Sequence, residues 1–339
     1  MATLNNIAKK LLGEKIVAKI NKYRNSRKLR KNYKEDCKLY KEHSSVFKKD
    51  TFNKKESEIT LLYHSIEKGL LYDPIRFRFA ERKIKELIIY LKSIDLPNVN
   101  NRIQIQAAIL NLCVYYDIHL KNQIDISDYF PLEDYEYFKS NLKISGDPVK
   151  YHTKATFFKS NRSDFKEFSC SRSSVRNFTG EKIPIRIFQQ VVDLANNAPS
   201  VCNRQSVSVY LIEDKEKIDS ILKIQGGLKG YDEKLSQLIV LTSDRNYFYS
   251  IGERNQLFID GGIYLMNLLY ALHYYKIGAC PAHWGMPIEA DKKVQNILWL
   301  KDSEKIISLI AIGIPEDNFK TTLSLRRPAN ENLHIINQS

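Results

Sequence analysis

The spacing of the apolar residues changes near residue 160, and this change constrains the fold more than any other feature of the chain. Between about 55 and 145, apolar residues recur at three- and four-residue steps, which is typical of helices. Beyond 160, short β-rich runs such as VSVYLIED and KIISLIAIGIP alternate with helical ones. We therefore predict an α+β protein, in which a largely α-helical N-terminal region (residues 1–160) precedes a mixed sheet flanked by helices (residues 161–339).

Composition and cysteine spacing exclude several classes of protein. Apolar residues make up 43% of the chain, enough for a sizeable core, and no apolar run approaches the roughly 18 residues of a membrane span. We see no secretory signal at the N-terminus. The five cysteines are odd in number and widely spaced, without CxxC pairs, so neither a disulfide framework nor a metal site is expected. These features predict a cytoplasmic protein.

The positive charge is concentrated at the N-terminus. Residues 1–60 hold 17 Lys and Arg against 7 Asp and Glu, a net charge of +10 out of +14 for the chain. Residues 4–22 combine an apolar stripe with lysines on the other faces, so this helix either lies on the inner face of a membrane or docks on its own protein. The basic and aromatic residues that follow carry no RNA-binding motif, and no nucleic acid is expected as a partner.

The run HSIEKGL places His64, Glu67 and Lys68 within about one helical turn. Three polar groups so arranged could form a site. A salt-bridged turn on the protein surface is the commoner explanation, and it is the one we favour from the sequence.

Two short basic runs have the chemistry of an anion site. SRSSVR places Arg172, Ser173, Ser174 and Arg176 within five residues, and Arg offers bidentate, charge-assisted hydrogen bonds to a phosphate monoester. SLRRP supplies Arg326 and Arg327, which could close on the same anion. Each run alone is more often a solvated surface.

The run ANNAPSVCNRQS connects a predicted helix to a predicted strand with more residues than a turn requires. Its amides, at Asn203 and Gln205 among others, can both donate and accept hydrogen bonds, as recognition of a heterocycle's edge requires. An Asx-rich turn would have the same composition. A long helix, roughly Glu253 to Tyr275, carries Gly261 and Gly262, which indicate close packing on another backbone.

In this order, RSSVRNF, APSVCNRQ, a Gln-containing helix with small residues and GACPAHW resemble the nitroreductase-like family of FMN-dependent oxidoreductases. The resemblance covers about residues 165–330. It implies a nitroreductase-like fold, bound FMN, NADH or NADPH as electron donor, and a homodimer with the flavin at the subunit interface. The cofactor-binding residues that it implies are Arg172, Ser173, Ser174, Arg176, Pro199, Ser200, Asn203, Gln205, Gln256, His283, Trp284 and Arg326.

The resemblance also implies a role for each group of residues. Arg172, Ser174 and Arg326 would hold the phosphate, and Arg176 would lie near N1 and O2 of the flavin. Pro199, Ser200, Asn203 and Gln256 would reach the flavin of the other subunit. The backbone amides of His283 and Trp284 would lie near flavin N5 and O4.

The sequence departs from the family pattern in the run QGGLKGY. Leu228 stands where the family has an asparagine that bonds the flavin ring, and a leucine cannot make that hydrogen bond. Gln225 is a candidate replacement. Ser324 stands where a second C-terminal basic residue is frequent, so fewer charges would bind the phosphate.

The leading hypothesis is an FMN-dependent oxidoreductase that passes hydride from NAD(P)H through flavin N5 to a small-molecule acceptor. His283 is the candidate proton donor. A degenerate flavin domain acting as a scaffold, or a membrane-surface interaction protein without redox activity, is one alternative; a flavin-dependent dehydrogenase of a peptide or sugar is another. HSIEKGL ahead of such a domain resembles a longer subgroup associated with bacterial cell-surface polysaccharide biosynthesis, which names no substrate.

Overall fold

The computed structural model describes residues 13–336. Contacts between Cα atoms divide the chain into two compact units, one of residues up to Lys55 with Phe248–Asn255, the other of Glu56–Tyr247 with the residues from Gln256 onward. This division does not coincide with the predicted domain boundary at residue 160. That boundary stays a prediction. The described helices include none that is long and apolar enough to cross a membrane.

The first unit is built on one long helix, α1 (Glu14–His43). Arg254 forms a bidentate ion pair with Asp36 of this helix, with Nε–Oδ2 and Nη2–Oδ1 distances of 2.7 and 2.9 Å. Of the predicted apolar stripe in residues 4–22, Ile16 and Ile20 are exposed, whereas residues 4–12 lie outside the described residues. Membrane contact through this helix therefore stays a prediction.

The predicted helical region is confirmed for the described residues. Its longest helix in the second unit is hydrophobic on nearly all sides, and its side chains from Gln104 to Cys113 are buried, as expected of a helix at the centre of a helical layer. The helices that follow α1 up to residue 141 are α2 (Phe52–Gly69), α3 (Glu81–Lys92), α4 (Leu96–Val99), this central α5 (Ile103–Lys121) and α6 (Leu132–Asn141).

A four-stranded sheet forms the centre of the second half. Its strands are β2 (Val207–Ile212), β3 (Gln237–Asp244), β4 (Gly278–His283) and β5 (Glu304–Gly313), in the order β2-β3-β5-β4. Every residue of β3 is buried, because apolar layers cover both faces of the sheet. Successive side chains point to opposite faces, so Leu238 and Val240 belong to one layer and Ile239 and Leu241 to the other.

Helices on the two faces supply the rest of these layers. Phe188 and Leu268 join the layer of Ile239, whereas Ile218 and Val294 join the layer of Leu238. These side chains belong, in that order, to α9 (Ile185–Ala195), α11 (Gln256–Tyr274), α10 (Lys215–Gln225) and α12 (Ile288–Leu298). The predicted α+β class, a sheet flanked by helices and preceded by a helical region, is confirmed.

Strand direction differs from the prediction, since the sheet was expected to be mixed. All three pairings within it are antiparallel. Alternation of strands and helices does not fix direction, because a helix and its loops can return the chain to either end of a sheet.

A separate two-stranded ribbon joins the end of the helical region to the C-terminal part of the chain. In it β1 (Val149–Thr153) pairs antiparallel with β6 (Asn318–Thr322). The remaining short helices are α7 (Lys154–Phe157), α8 (Phe165–Ser171) and α13 (Ala329–Asn332).

The two adjacent glycines of α11 have different surroundings. A Cβ on Gly261 would lie 2.8 Å from a side-chain carbon of Ile307, so the helix is closely packed there, but against a side chain and not against another backbone as predicted. At Gly262 the same Cβ would meet nothing within 4 Å, so this residue lies on an open face of the helix.

Candidate functional site

The basic run SRSSVR forms an extended segment beside β4. The Val175 N–H donates to Ala279 O at 3.0 Å, and the Val175 side chain is fully buried in the core. Beside Val175, Arg176 is buried as well, whereas Arg172 and Ser174 are half-buried. At roughly 3.3 Å per residue, the backbone between the two arginines can span at most about 13 Å.

Arg172 marks one end of this segment. Its Nη1 is buried and has no hydrogen-bond partner among the described residues. Burial lowers the pKa of Arg172, and the positive charge of Arg326 lowers it further. Arg326, from a distant part of the sequence, is therefore within electrostatic range of Arg172, as an anion site requires.

Arg176 marks the other end and is more deeply buried. Its Nε and Nη1 are both buried without a hydrogen-bond partner among the residues described. The positive charge of Arg176 is the second cause, after burial, of a lowered pKa at Lys68 in the last turn of α2. This end of the segment also has two neighbouring cations.

HSIEKGL lies only partly on the surface, which corrects the interpretation that we favoured. Glu67 is only 2% exposed, and its Oε2 lies 3.1 Å from His64 Nδ1. His64 and Glu67 line a cavity of about 530 Å³ together with Arg326. The salt-bridged turn is present, but it faces the cationic site.

Arg327 lines the same cavity as Arg326, but its guanidinium is already engaged with a carboxylate, although the sequence suggested that both arginines could close on one anion. Its Nη2 forms an ion pair with the buried Glu56, which Arg102 also contacts through Nε and Nη2 at 3.1 Å. Arg326 is paired differently, with Nη1 donating to Ser324 O at 2.6 Å. Neighbouring arginines thus have different tasks, one structural and one available to a ligand.

A larger cavity, of about 900 Å³, adjoins Arg176. The rings of Tyr72 and Tyr231 stack in its wall with 5.0 Å between centroids, and the Arg76 guanidinium lies 4.2 Å from the Tyr72 ring centre. Neither tyrosine was predicted as a site residue. They are 159 residues apart in sequence, and no local pattern connects them.

The loop Pro199–Gln205 is ordered by its own hydrogen bonds. Ser200 Oγ accepts from the Gln205 N–H at 3.0 Å, and Asn203 Oδ1 accepts from Gln205 Nε2 at 3.1 Å. Asn203 and Gln205 are exposed and have positive φ angles of 56° and 50°. The side-chain amides therefore face outward. The positive φ angles are unfavourable for these residues by themselves, and the surrounding contacts maintain them.

The start of α11 holds this loop in place. Asp260 is buried, and its carboxylate accepts from the Val201 N–H at 3.3 Å and from Gln256 Nε2 at 2.8 Å. Gln256 is thus linked to the loop through Asp260, whereas its contact with a flavin of the other subunit stays a prediction.

His283 ends β4 and Trp284 follows it, and the two side chains have different surroundings. The His283 side chain is exposed, whereas the Trp284 indole is buried and donates from Nε1 to Asp291 at 2.5 Å. The Trp284 side chain is therefore a core element, and only its backbone remains for a cofactor.

Leu228 is part of the apolar layer on one face of the sheet, at 4% exposure. Gln225, the candidate replacement for the missing asparagine, is already engaged: its Nε2 donates to His283 O at 3.3 Å and its Oε1 accepts from the Gly227 N–H at 2.7 Å. Neither the Leu228 nor the Gln225 side chain of this loop is therefore available to bond a flavin ring. Within residues 13–336, no group of His, Cys, Asp or Glu has the arrangement of a metal site.

Comparisons with known proteins bear on the same segment. Residues 170–234 match the family model described as the Nitroreductase family. The iodotyrosine deiodinase of Hydra vulgaris is 21% identical over an alignment of 230 residues. The match covers 60% of this chain and 80% of the deiodinase. The matched family segment contains the SRSSVR run and the Pro199–Gln205 loop, so the predicted nitroreductase-like fold class is confirmed.

Two solved structures are similar at low identity. An FMN-dependent nitroreductase from Clostridium difficile is 18% identical, covering 50% of this chain and 98% of that chain with a TM-score of 0.43. A nitroreductase-like protein from Streptococcus mutans is 19% identical, covering 51% of this chain and 98% of that chain with a TM-score of 0.44.

Proposed function

We propose that this protein is an FMN-dependent oxidoreductase. The observation that carries the proposal is the pair of buried, uncompensated guanidiniums at the two ends of one extended segment, Arg172 and Arg176. A buried charge without a partner is costly, and it is retained where a ligand supplies the opposite charge. The family match over residues 170–234 supports the assignment of that ligand as a flavin nucleotide.

The residues present fit such a ligand. Flavin mononucleotide carries a phosphate at one end and electronegative pyrimidine oxygens at the other, and the segment can place cations up to about 13 Å apart. Arg172 and Arg326 would hold the phosphate, with Ser174 donating from the same segment. Arg176 would lie at the pyrimidine edge, where its two unpartnered N–H groups have acceptors.

A bound flavin supplies two-electron chemistry between a reduced nicotinamide and an acceptor. The task of Arg176 is electrostatic: a fixed positive charge in a site of low dielectric constant favours the electron-rich form of the ligand. The exposed His283 side chain would be available as a proton donor to an acceptor. The acceptor itself, and a role in polysaccharide metabolism, stay predictions.

We propose a homodimer in which α11 contributes the interface. Four apolar side chains of this helix are 37–53% exposed, and Gly262 leaves room for close approach between them. An apolar helix face of this kind is typical of a surface that a second copy covers. The exposed side chains are Phe258, Ile259, Ile263 and Met266.

Replacement of Asn203 tests whether the loop completes a flavin site of the partner subunit. We expect Asn203→Gly to weaken FMN binding at least tenfold, because glycine accepts the positive φ without strain while removing the amide. Binding can be measured by quenching of flavin fluorescence. The control is Asn197→Gly, an exposed amide of the preceding turn, and equal affinities for Asn203→Gly and the native protein would remove Asn203 from the site.

The function itself is tested by reconstitution. We expect purified protein to take up FMN with the absorbance of an oxidised flavin, and NADH or NADPH to bleach it under anaerobic conditions. Protein that takes up no FMN would refute the proposal and favour the scaffold alternative. Flavin that a nicotinamide cannot reduce, but that a sugar or peptide reduces, would instead indicate the dehydrogenase.

A further inference from the structure

The last turn of α2 is fixed to the wall of the cavity that Arg176 lines. Tyr231 Oη donates to Lys68 O at 2.6 Å, and Tyr72 Oη donates to Lys229 O at 3.2 Å. Stacking of the two tyrosine rings reinforces this contact. The helical region and the loop 228–231 therefore hold the backbone of Lys68 in a defined position beside this cavity, although the two parts are some 160 residues apart in sequence.

The charge of Lys68 is uncompensated in this position. The side chain is half-buried, and no carboxylate among the described residues forms an ion pair with it. Burial lowers the pKa of Lys68, and the charge of Arg176 lowers it further. Glu67, the nearest acid in sequence, is directed to His64 instead.

Two neighbouring cations without an anion are electrostatically unfavourable in a partly desolvated site. The arrangement becomes favourable when a ligand brings negative charge between them. Each end of the segment thus has two cations in electrostatic range of each other. They are Arg172 and Arg326 at one end, and Arg176 and Lys68 at the other.

We propose that Lys68 is a cofactor-binding residue that the helical region supplies, a second cation beside Arg176 at the pyrimidine end of the flavin. This inference rests on the proposed function. Lys68 would bind the electron-rich, reduced form of the ligand more tightly than the oxidised form, and would raise the reduction potential accordingly. The helical region is then part of the redox site itself.

The test compares Lys68→Met with Lys68→Arg in the full chain. We expect Lys68→Met to weaken FMN binding about tenfold and to make the reduction potential of the bound flavin more negative. If the reduced form loses tenfold more affinity than the oxidised form, the shift is about 30 mV for a two-electron couple. Lys68→Arg keeps the charge and should retain both values.

Lys121→Met is the matched control, because Lys121 is an exposed lysine at the end of α5. Native binding and potential in Lys68→Met, or equal losses in Lys121→Met, would overturn the role of Lys68. If Lys68→Met does not fold, Lys68→Gln carries the same expectation. Native protein that binds no FMN would refute the proposed function as well, whereas native protein that binds FMN, with an unaffected Lys68→Met, would refute the role of Lys68 alone.

Discussion

Arg176→Met is expected to lose FMN while its flavin-free form becomes more stable. A hydrogen bond to a charged group contributes about 1.5–3 kcal/mol, so the loss of even one should weaken FMN binding roughly 10- to 100-fold. In the flavin-free protein the same substitution removes a guanidinium that is 7% exposed and has two unpartnered nitrogens. Methionine fills the space without a desolvation penalty, so we expect the free energy of unfolding to rise by about 1 kcal/mol or more.

This prediction is specific because FMN affinity is expected to fall while the stability of the flavin-free protein rises. FMN affinity can be measured by fluorescence titration and stability by urea unfolding of flavin-free protein. Arg186→Met, at an exposed position of α9, is the control and should change neither quantity appreciably. A flavin-free Arg176→Met protein that is markedly less stable than the native one would show that Arg176 has a structural partner instead.

Leu228→Asn is expected to destabilise the protein rather than to improve flavin binding. The substitution restores the residue type of the family pattern, but Leu228 packs in the apolar layer beneath the sheet. Loss of its buried methyl groups and burial of an amide should together cost about 3 kcal/mol in the free energy of unfolding. Leu228→Met, which preserves volume and polarity, should cost less than about 1.5 kcal/mol.

Chemical denaturation of both variants distinguishes a core position from a ligand position. An asparagine variant with native stability and tighter FMN binding would mean that residue 228 faces the flavin. A destabilised Leu228→Asn variant would instead show that residue 228 departs from the family pattern because it packs in the core. Recognition of the flavin ring would then depend on Arg176, Lys68 and the backbone.

Features encoded locally could be predicted from the sequence. Strands β2 and β5 follow from the short β-rich apolar runs VSVYLIED and KIISLIAIGIP. The SRSSVR run was recognised because a dense group of guanidiniums and hydroxyls is itself a chemical signal. Gly261 was singled out because glycine is a poor helix former, and its contact with Ile307 explains it.

Features that depend on distant contacts could not be predicted. HSIEKGL was noticed, but nothing within it indicates that Glu67 is buried or that Lys68 lies near Arg176, 108 residues further along the chain. The different partners of Arg326 and Arg327 depend likewise on Glu56 at the other end of the sequence. The prediction of strand direction was wrong for the same reason, since the direction of a strand depends on how the connections cross the sheet.

The ribbon of β1 and β6 limits how this protein could be shortened or recombined in evolution. Arg326 follows β6 by only four residues, and β6 is held by a strand from the end of the helical region. A fragment beginning at residue 161 would lack both β1 and α2, so β6 would have an unpaired edge and Arg326 would no longer be held within electrostatic range of Arg172. The two halves therefore have to be inherited together if the anion site is to be kept.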